Sequence, residues 1–219
     1  MKFYAINGSP RKNKNTAQLL DKSLEGIKSV IPDAEVERIN LYDLDFKGCK
    51  SCFSCKRIGG KNYGKCAIND DLAPVLEELS LCEGVILGSP IYFGDVTGEL
   101  RSFIERFAFP YLTYSSDDNI APKRMPTACI YTMNCPEEIF DMMNYQITLN
   151  TLEGALEAVF KKPITMCSFD TYQFNDYSKF KSDMFDEAKK LEVRETQFPK
   201  DLEEAYNMGV NIAKDSLKK

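Results

Sequence analysis

"GVILGSPIYFGDVTGELRSFIERF", residues 84–107, decides how the chain folds. GVILGSP (84–90) is a short apolar run closed by a Ser-Pro turn, the pattern of a strand buried on both faces. Thr97 to Phe109 then carries apolar residues at helical spacing. A buried strand that passes through a turn into a helix is half of a βαβ unit, and the same alternation recurs on either side.

Upstream, KFYAI (2–6) ends at Asn7-Gly8, a strand-then-turn signal, and Thr16 to Val30 places Leu19, Leu20, Leu24, Ile27 and Val30 on one helical face. EVERINL (35–41) alternates like a strand near a sheet edge. Asp70 to Leu81 reads as a helix capped by Asn69 or Asp70, with Pro74 in its first turn. Downstream, TACIYTM (127–133) and PITMCSF (163–169) read as buried strands. Glu137 to Phe160 and Pro199 to Leu217 read as helices. Five strands separated by helices predict a five-stranded parallel sheet, doubly wound, with helices on both faces. No repeat or linker divides residues 1–219, so one domain is expected, with a cysteine-rich insertion loop at 47–69 and a tail plus helix at 170–219.

Composition narrows the function. Net charge is −5 with no long Lys/Arg block, against a nucleic-acid partner. No apolar run reaches membrane-spanning length and the N-terminus lacks a signal peptide's apolar segment, so a cytoplasmic protein is expected. Histidine is absent, which excludes His-based nucleophile pairs and His-ligated metals. Eight cysteines in a reducing compartment favour metal ligation, catalysis or burial over disulfides.

Ligands of such folds lie outside the carboxyl ends of the strands, at the loops 7–16, 41–69, 89–96, 132–137 and 169–180. In NGSPRKNKNTAQ the side chains of Ser9, Arg11, Asn15 and Thr16 and the free N–H groups of the following helix suit a terminal phosphate. An ordinary strand–helix turn capped by Asn15 or Thr16 would use the same residues. Neither a G-x-G-x-x-G nor a P-loop motif is present. In GSPIYFGDVTGEL, Tyr92 and Phe93 stand at a strand end, and Gly94 and Gly98 let backbone approach something flat. A phosphate site beside a flat surface describes a mononucleotide with an extended ring.

GSPRKNKNT and GSPIYFGDVTGELRSFIER together resemble the flavodoxin-like NAD(P)H-dependent FMN reductases, and GCKSCFSC…CAINDDL between them resembles their iron–sulfur flavoprotein branch. The resemblance covers about residues 1–110 and is weaker beyond, although DTYQFNDYSKF looks like that branch's tail. It implies FMN phosphate at Ser9, Arg11, Asn15 and Thr16, and the flavin ring against Pro90, Ile91, Tyr92, Phe93 and Gly94. Thr132, Met133 and Asn134 would touch the ring edge, though YTMNCP lacks the glycine often found there. A homodimer or homotetramer is also implied, with the helix 97–109 as a candidate interface and Tyr172, Phe174 and Tyr177 either shielding the flavin or packing on their own domain.

Cys49, Cys52 and Cys55 follow at three-residue steps, and Cys66 comes after ten further residues that include Gly59, Gly60 and Gly64. C-x₂-C-x₂-C opens the bacterial ferredoxin run, but here the last gap is longer. The four are expected to act as one set of ligands to a [4Fe–4S] cluster; a Cys₄ zinc site, a C-x-x-C redox pair and plain buried thiols are the alternatives. Cys82, Cys129 and Cys167 are expected in the core, and Cys135 near the flavin edge. Arg101, Glu105 and Arg106 are expected on a solvated or partner-facing surface, and Asp70-Asp71 as helix caps. The expected protein is an FMN-dependent oxidoreductase with no side-chain catalyst. Electrons would come from NADH, NADPH or a reduced ferredoxin-type donor and pass to a small acceptor or a redox protein. The alternatives are a pure electron-transfer flavoprotein and a zinc-stabilised interaction protein.

Overall fold

A computed structural model describes residues 1–115 and 120–218. Its strands are β1 (Lys2–Asn7), β2 (Glu35–Asn40), β3 (Gly84–Tyr92), β4 (Asp95–Val96), β5 (Thr127–Thr132) and β6 (Ile164–Ser168). The helices are α1 (Asn15–Val30), α2 (Leu72–Leu79), α3 (Gly98–Ala108), α4 (Glu137–Met142), α5 (Tyr145–Glu157), α6 (Glu187–Thr196) and α7 (Phe198–Ser216). Five strands run parallel in the order β2-β1-β3-β5-β6. The expected doubly wound flavodoxin-like sheet is therefore present, and β2, the alternating strand, lies at its edge. The order reverses between β1 and β3, which makes their carboxyl ends the switch point where ligands of such sheets bind.

Period-two alternation sends each strand's side chains to two cores. Phe3 and Ala5 of β1, with Ile86 and Ile130, pack under α1 and α7. Tyr4, Ile6, Val85 and Leu87 pack on the other face against α2, α3 and α5. The apolar faces of α1 and α7 meet at two glycines. A Cβ on Gly26 would lie 2.0 Å from Tyr206 O, and one on Gly209 would lie 1.8 Å from Ser23 O. Backbone against backbone is the only packing that crossing allows.

Three elements differ from the sequence reading. β4 pairs antiparallel with the end of β3, Tyr92 opposite Asp95, through a two-residue loop. Both loop residues have left-handed backbones, Phe93 at φ 53° and Gly94 at φ 80°, as a type I′ hairpin requires. The expected helix 137–160 is broken at Asn144, φ 53°, into α4 and α5. Asn tolerates the left-handed region and so ends one helix and starts the next. The unexpected α6 carries no apolar stripe and buries Lys190 instead.

The candidate interface helix 97–109 turns its apolar face inward. Leu100, Phe103, Ile104 and Phe107 of α3 are buried in the chain's own core. Among the described residues no helix is long and apolar enough to cross a membrane.

Candidate functional site

One pocket opens at the switch point, and three loops build it. Ser9, Arg11, Lys14, Asn15 and Thr16 line it from the β1–α1 loop, Pro90, Ile91 and Tyr92 from the end of β3, and Thr132, Met133 and Asn134 from the end of β5. Ten of the twelve residues assigned to a cofactor thus stand around one space. Phe93 and Gly94 occupy the adjoining hairpin tip but not the pocket wall. Phe93 is fully exposed, at 107%, and Gly94 faces the Tyr145 ring, 2.8 Å from where a Cβ would stand.

The first loop is held in shape by its own hydrogen bonds. Asn7 accepts the Ser9 N–H at 3.1 Å, and Ser9 Oγ accepts the Arg11 N–H at 3.2 Å. Lys14 is the N-cap of α1 and makes no side-chain cap. The first-turn N–H groups, which have no intrahelical partner, therefore meet the pocket together with the positive end of the helix dipole. Thr16 Oγ1 lies 2.8 Å from Thr132 Oγ1, joining the phosphate-suited loop to the loop after β5. Thr97 ties the β3 wall to the first loop: its Oγ1 donates to Gly8 O at 2.7 Å and its N–H donates to Ser89 Oγ at 3.0 Å.

A flat ligand would lie along Pro90–Tyr92, with Tyr92 44% exposed. At the far edge Asn134 Oδ1 is buried and has no hydrogen-bond partner. A buried acceptor without a partner costs stability, so a donor on a ligand is its natural complement. This orphan acceptor, the anion-suited loop and the flat wall fit a flavin mononucleotide: phosphate at residues 9–16, ring along 90–92, ring edge at 132–134.

Residues beyond the sequence reading complete the pocket. Thr171 and Gln173 line it, and the segment they belong to crosses the first loop. Arg11 donates to Gln173 O at 2.8 Å, Asn15 to Tyr172 O at 3.1 Å and Lys14 to Asn175 Oδ1 at 2.6 Å. Tyr172, Phe174 and Tyr177 pack on one another within the chain. Lys190 of α6, buried, donates to Asn134 O and pairs with Asp170 at 2.5 Å. Arg194 donates to Asn15 Oδ1 at 3.2 Å. The signal for α6 was a basic spacing in a polar helix, which periodicity discards.

The cysteine loop lies along α3. Cys49, Cys52, Cys55 and Cys66 line one small pocket floored by Phe109 and Pro110. Among the described residues no three thiols or carboxylates converge at metal-ligand distance. Each thiol instead has its own surroundings. Cys49 Sγ accepts the Ser51 N–H at 3.4 Å. Hydrogen bonds from Ser54 hold Cys52 below the usual thiol range, and burial pushes Cys55 up. Of the three charges expected on a solvated or partner-facing surface, Glu105 is exposed and Arg101 partly so, but Arg106 is not. Arg106 is buried, with 0% of its side chain exposed, and reaches Cys66 Sγ at 3.3 Å. Glu105 accepts the Cys49 N–H at 3.0 Å, and Arg101 pairs with Asp95 at 2.7 Å. Asp70 accepts the Leu72 N–H at 3.2 Å, as a cap does, but its carboxylate also pairs with Arg106. Cys82 and Cys129 are core residues; Cys167 and Cys135 are half-buried against the same core.

Residues 1–131 match the family described as NADPH-dependent FMN reductase, which is more than half of the chain. The chain belongs to that family. Within it, the matched region holds two of the three pocket walls and the whole cysteine loop. An iron-sulfur flavoprotein of Archaeoglobus fulgidus is 40% identical over 106 residues, 48% of each chain. One of Methanocaldococcus jannaschii is 38% identical over 106 residues, 48% of this chain and 51% of its own length. The matches thus span about half the length of these curated relatives. Among solved structures, an NAD(P)H:quinone oxidoreductase from Methanothermobacter marburgensis superposes with a TM-score of 0.71 over 97% of this chain and 98% of its own, at 13% identity. That likeness shows the fold.

Proposed function

We propose that the chain binds one FMN in the switch-point pocket and works as an FMN-dependent oxidoreductase that takes electrons from NAD(P)H or a reduced ferredoxin-type donor. The observation that carries the reading is the convergence of the three loops. A phosphate-suited helix N-terminus, a flat wall and an orphan acceptor stand around one space in the order an FMN would need them.

FMN supplies the redox chemistry when bound: it takes two electrons and a proton as hydride, or electrons singly, and gives them up to an acceptor. The protein's part is placement. Arg11, Lys14 and the first turn of α1 hold the phosphate; the hairpin 90–96 presents the ring; Lys190 and Thr16 fix the loop 132–134 at its edge. No side-chain acid or base is needed, in keeping with a chain that has no histidine. Cys49, Cys52, Cys55 and Cys66 are the right donor set for a [4Fe–4S] cluster, and the relatives named iron-sulfur flavoproteins support it. The exposed Tyr92 and Phe93 at the pocket mouth support a homodimer in which a second copy covers the ring, with FMN as the resident group of each subunit.

The reading is tested by loading the protein with FMN without oxygen and adding NADH, NADPH or a chemically reduced ferredoxin. Bleaching of the bound flavin's absorption by one of the three is the expected result. Bound flavin that none of them bleaches would refute the donor assignment.

A further inference from the structure

Arg106 is the most deeply buried charge in the described structure that the pocket at the switch point does not use. A guanidinium has five N–H donors, and all five are engaged. Nη1 donates to Lys47 O at 3.0 Å and to Asp70 Oδ2 at 2.5 Å; Nη2 donates to Ile68 O at 3.3 Å and to Asp70 Oδ1 at 2.8 Å. Nε donates to Cys66 Sγ at 3.3 Å. The two-pronged bond with Asp70 neutralises a charge that would otherwise be prohibitive to bury.

These partners lie at the two ends of the cysteine loop. Lys47 precedes Cys49 by two residues, and Cys66, Ile68 and Asp70 follow the ten-residue gap. One side chain of α3 therefore closes the loop on itself. Four of its donors do only that. The fifth points at a sulfur, the one that the gap separates from the other three.

The same helix starts at the other site. Thr97, its N-cap, is bonded to Gly8 O and Ser89 Oγ beside the switch-point pocket. From Thr97 to Arg106 is about 14 Å of helix axis, at about 1.5 Å per residue. The cysteine pocket is thus fixed in distance and direction from the other pocket by one rigid element.

We propose that Arg106 is the positioning residue of the cysteine site: it holds Cys66, across the long gap, in the pocket that Cys49, Cys52 and Cys55 also line, and its Nε–H donates to the Cys66 sulfur of a cluster held there. The second half rests on the cluster reading above; the first half does not. Donor bonds to ligand sulfurs stabilise the more negative, reduced form of an iron–sulfur group, so this one raises its reduction potential.

The test uses Arg106→Lys, which keeps the charge but has no planar fork to serve Asp70 and Cys66 together, with Asp70→Asn as the second variant. Each protein is read by far-UV circular dichroism, by trypsin cleavage of the metal-free loop at Lys56, Arg57, Lys61 and Lys65, and by anaerobic reconstitution with iron and sulfide. Arg106→Lys is expected to keep native dichroism, to be cut in the loop at least tenfold faster, and to hold less iron at a lower reduction potential. Wild-type iron content and potential in that variant would overturn the proposal. If the wild type itself takes up no iron, the cluster reading fails and trypsin alone decides: faster cleavage upholds the loop closure, unchanged cleavage overturns it. If Arg106→Lys does not fold, the same readouts on Asp70→Asn decide in the same way.

Discussion

Thr16 Oγ1 and Thr132 Oγ1 lie 2.8 Å apart, one on the first turn of α1 and the other at the end of β5. Both residues are buried. The bond ties the part of the pocket suited to phosphate to the part suited to a ring edge. Thr132→Val keeps the shape and removes one hydroxyl, leaving its partner unpaired. A neutral hydrogen bond is worth about 0.5–1.5 kcal/mol. FMN affinity, measured by quenching of flavin fluorescence, is therefore expected to fall about two- to tenfold, with circular dichroism unchanged.

The hairpin tip stores strain. Phe93 holds φ 53° while fully exposed, and a non-glycine residue there costs on the order of 1 kcal/mol. Phe93→Asn suits the left-handed backbone better and is expected to raise the stability of the isolated subunit by roughly that amount in urea unfolding. If Phe93 also covers a second copy's ring, the same variant weakens dimerisation, measured by light scattering.

The α1–α7 crossing is the least forgiving place in the core. A methyl on Gly209 would stand 1.8 Å from Ser23 O, a backbone atom that cannot rotate away. Gly209→Ala is expected to cost about 3 kcal/mol, the upper end for overpacking, and to lower the unfolding midpoint without changing the urea m-value.

Glu153 of α5 carries a pH dependence. Burial pushes its carboxyl up, and the nearby Tyr131 hydroxyl and Lys162 offset only part. Its Oε1 is buried without a good hydrogen-bond partner, as is Tyr131 Oη. A carboxyl raised in the folded state supports folding fully below the unfolded value, about 4.3. That support is lost as pH climbs from there through the folded value. Glu153→Gln is expected to stabilise the protein at about pH 7 and to leave it unchanged at about pH 4, read from urea unfolding at the two values.

The parallel sheet was legible because β3, β5 and β6 are short, largely apolar runs, and the loops at their ends followed from topology. That Ser9, Arg11 and Thr16 stand at the pocket was legible because they follow the first strand of such a sheet. Arg106 was misplaced because helical spacing puts it beside Arg101 and Glu105, and sequence cannot show that the cysteine loop folds back over that face. Lys190 and Arg194 were missed because α6 has no apolar stripe; it is held by the buried Lys190–Asp170 ion pair and by hydrogen bonds from Arg194 to Asn15 and Gln18. The hairpin at Phe93-Gly94 was missed because aromatic residues seldom take its first position.

The central claim is that the loop of residues 9–16 grips FMN phosphate. Titrating FMN into the flavin-free protein and into Arg11→Ala/Thr16→Ala measures it most directly. Hydrogen bonds to charged groups are worth about 1.5–3 kcal/mol each. The wild type is expected to bind one FMN per chain, and the double variant to bind at least about a hundredfold more weakly. Equal affinity for the two proteins would contradict the account.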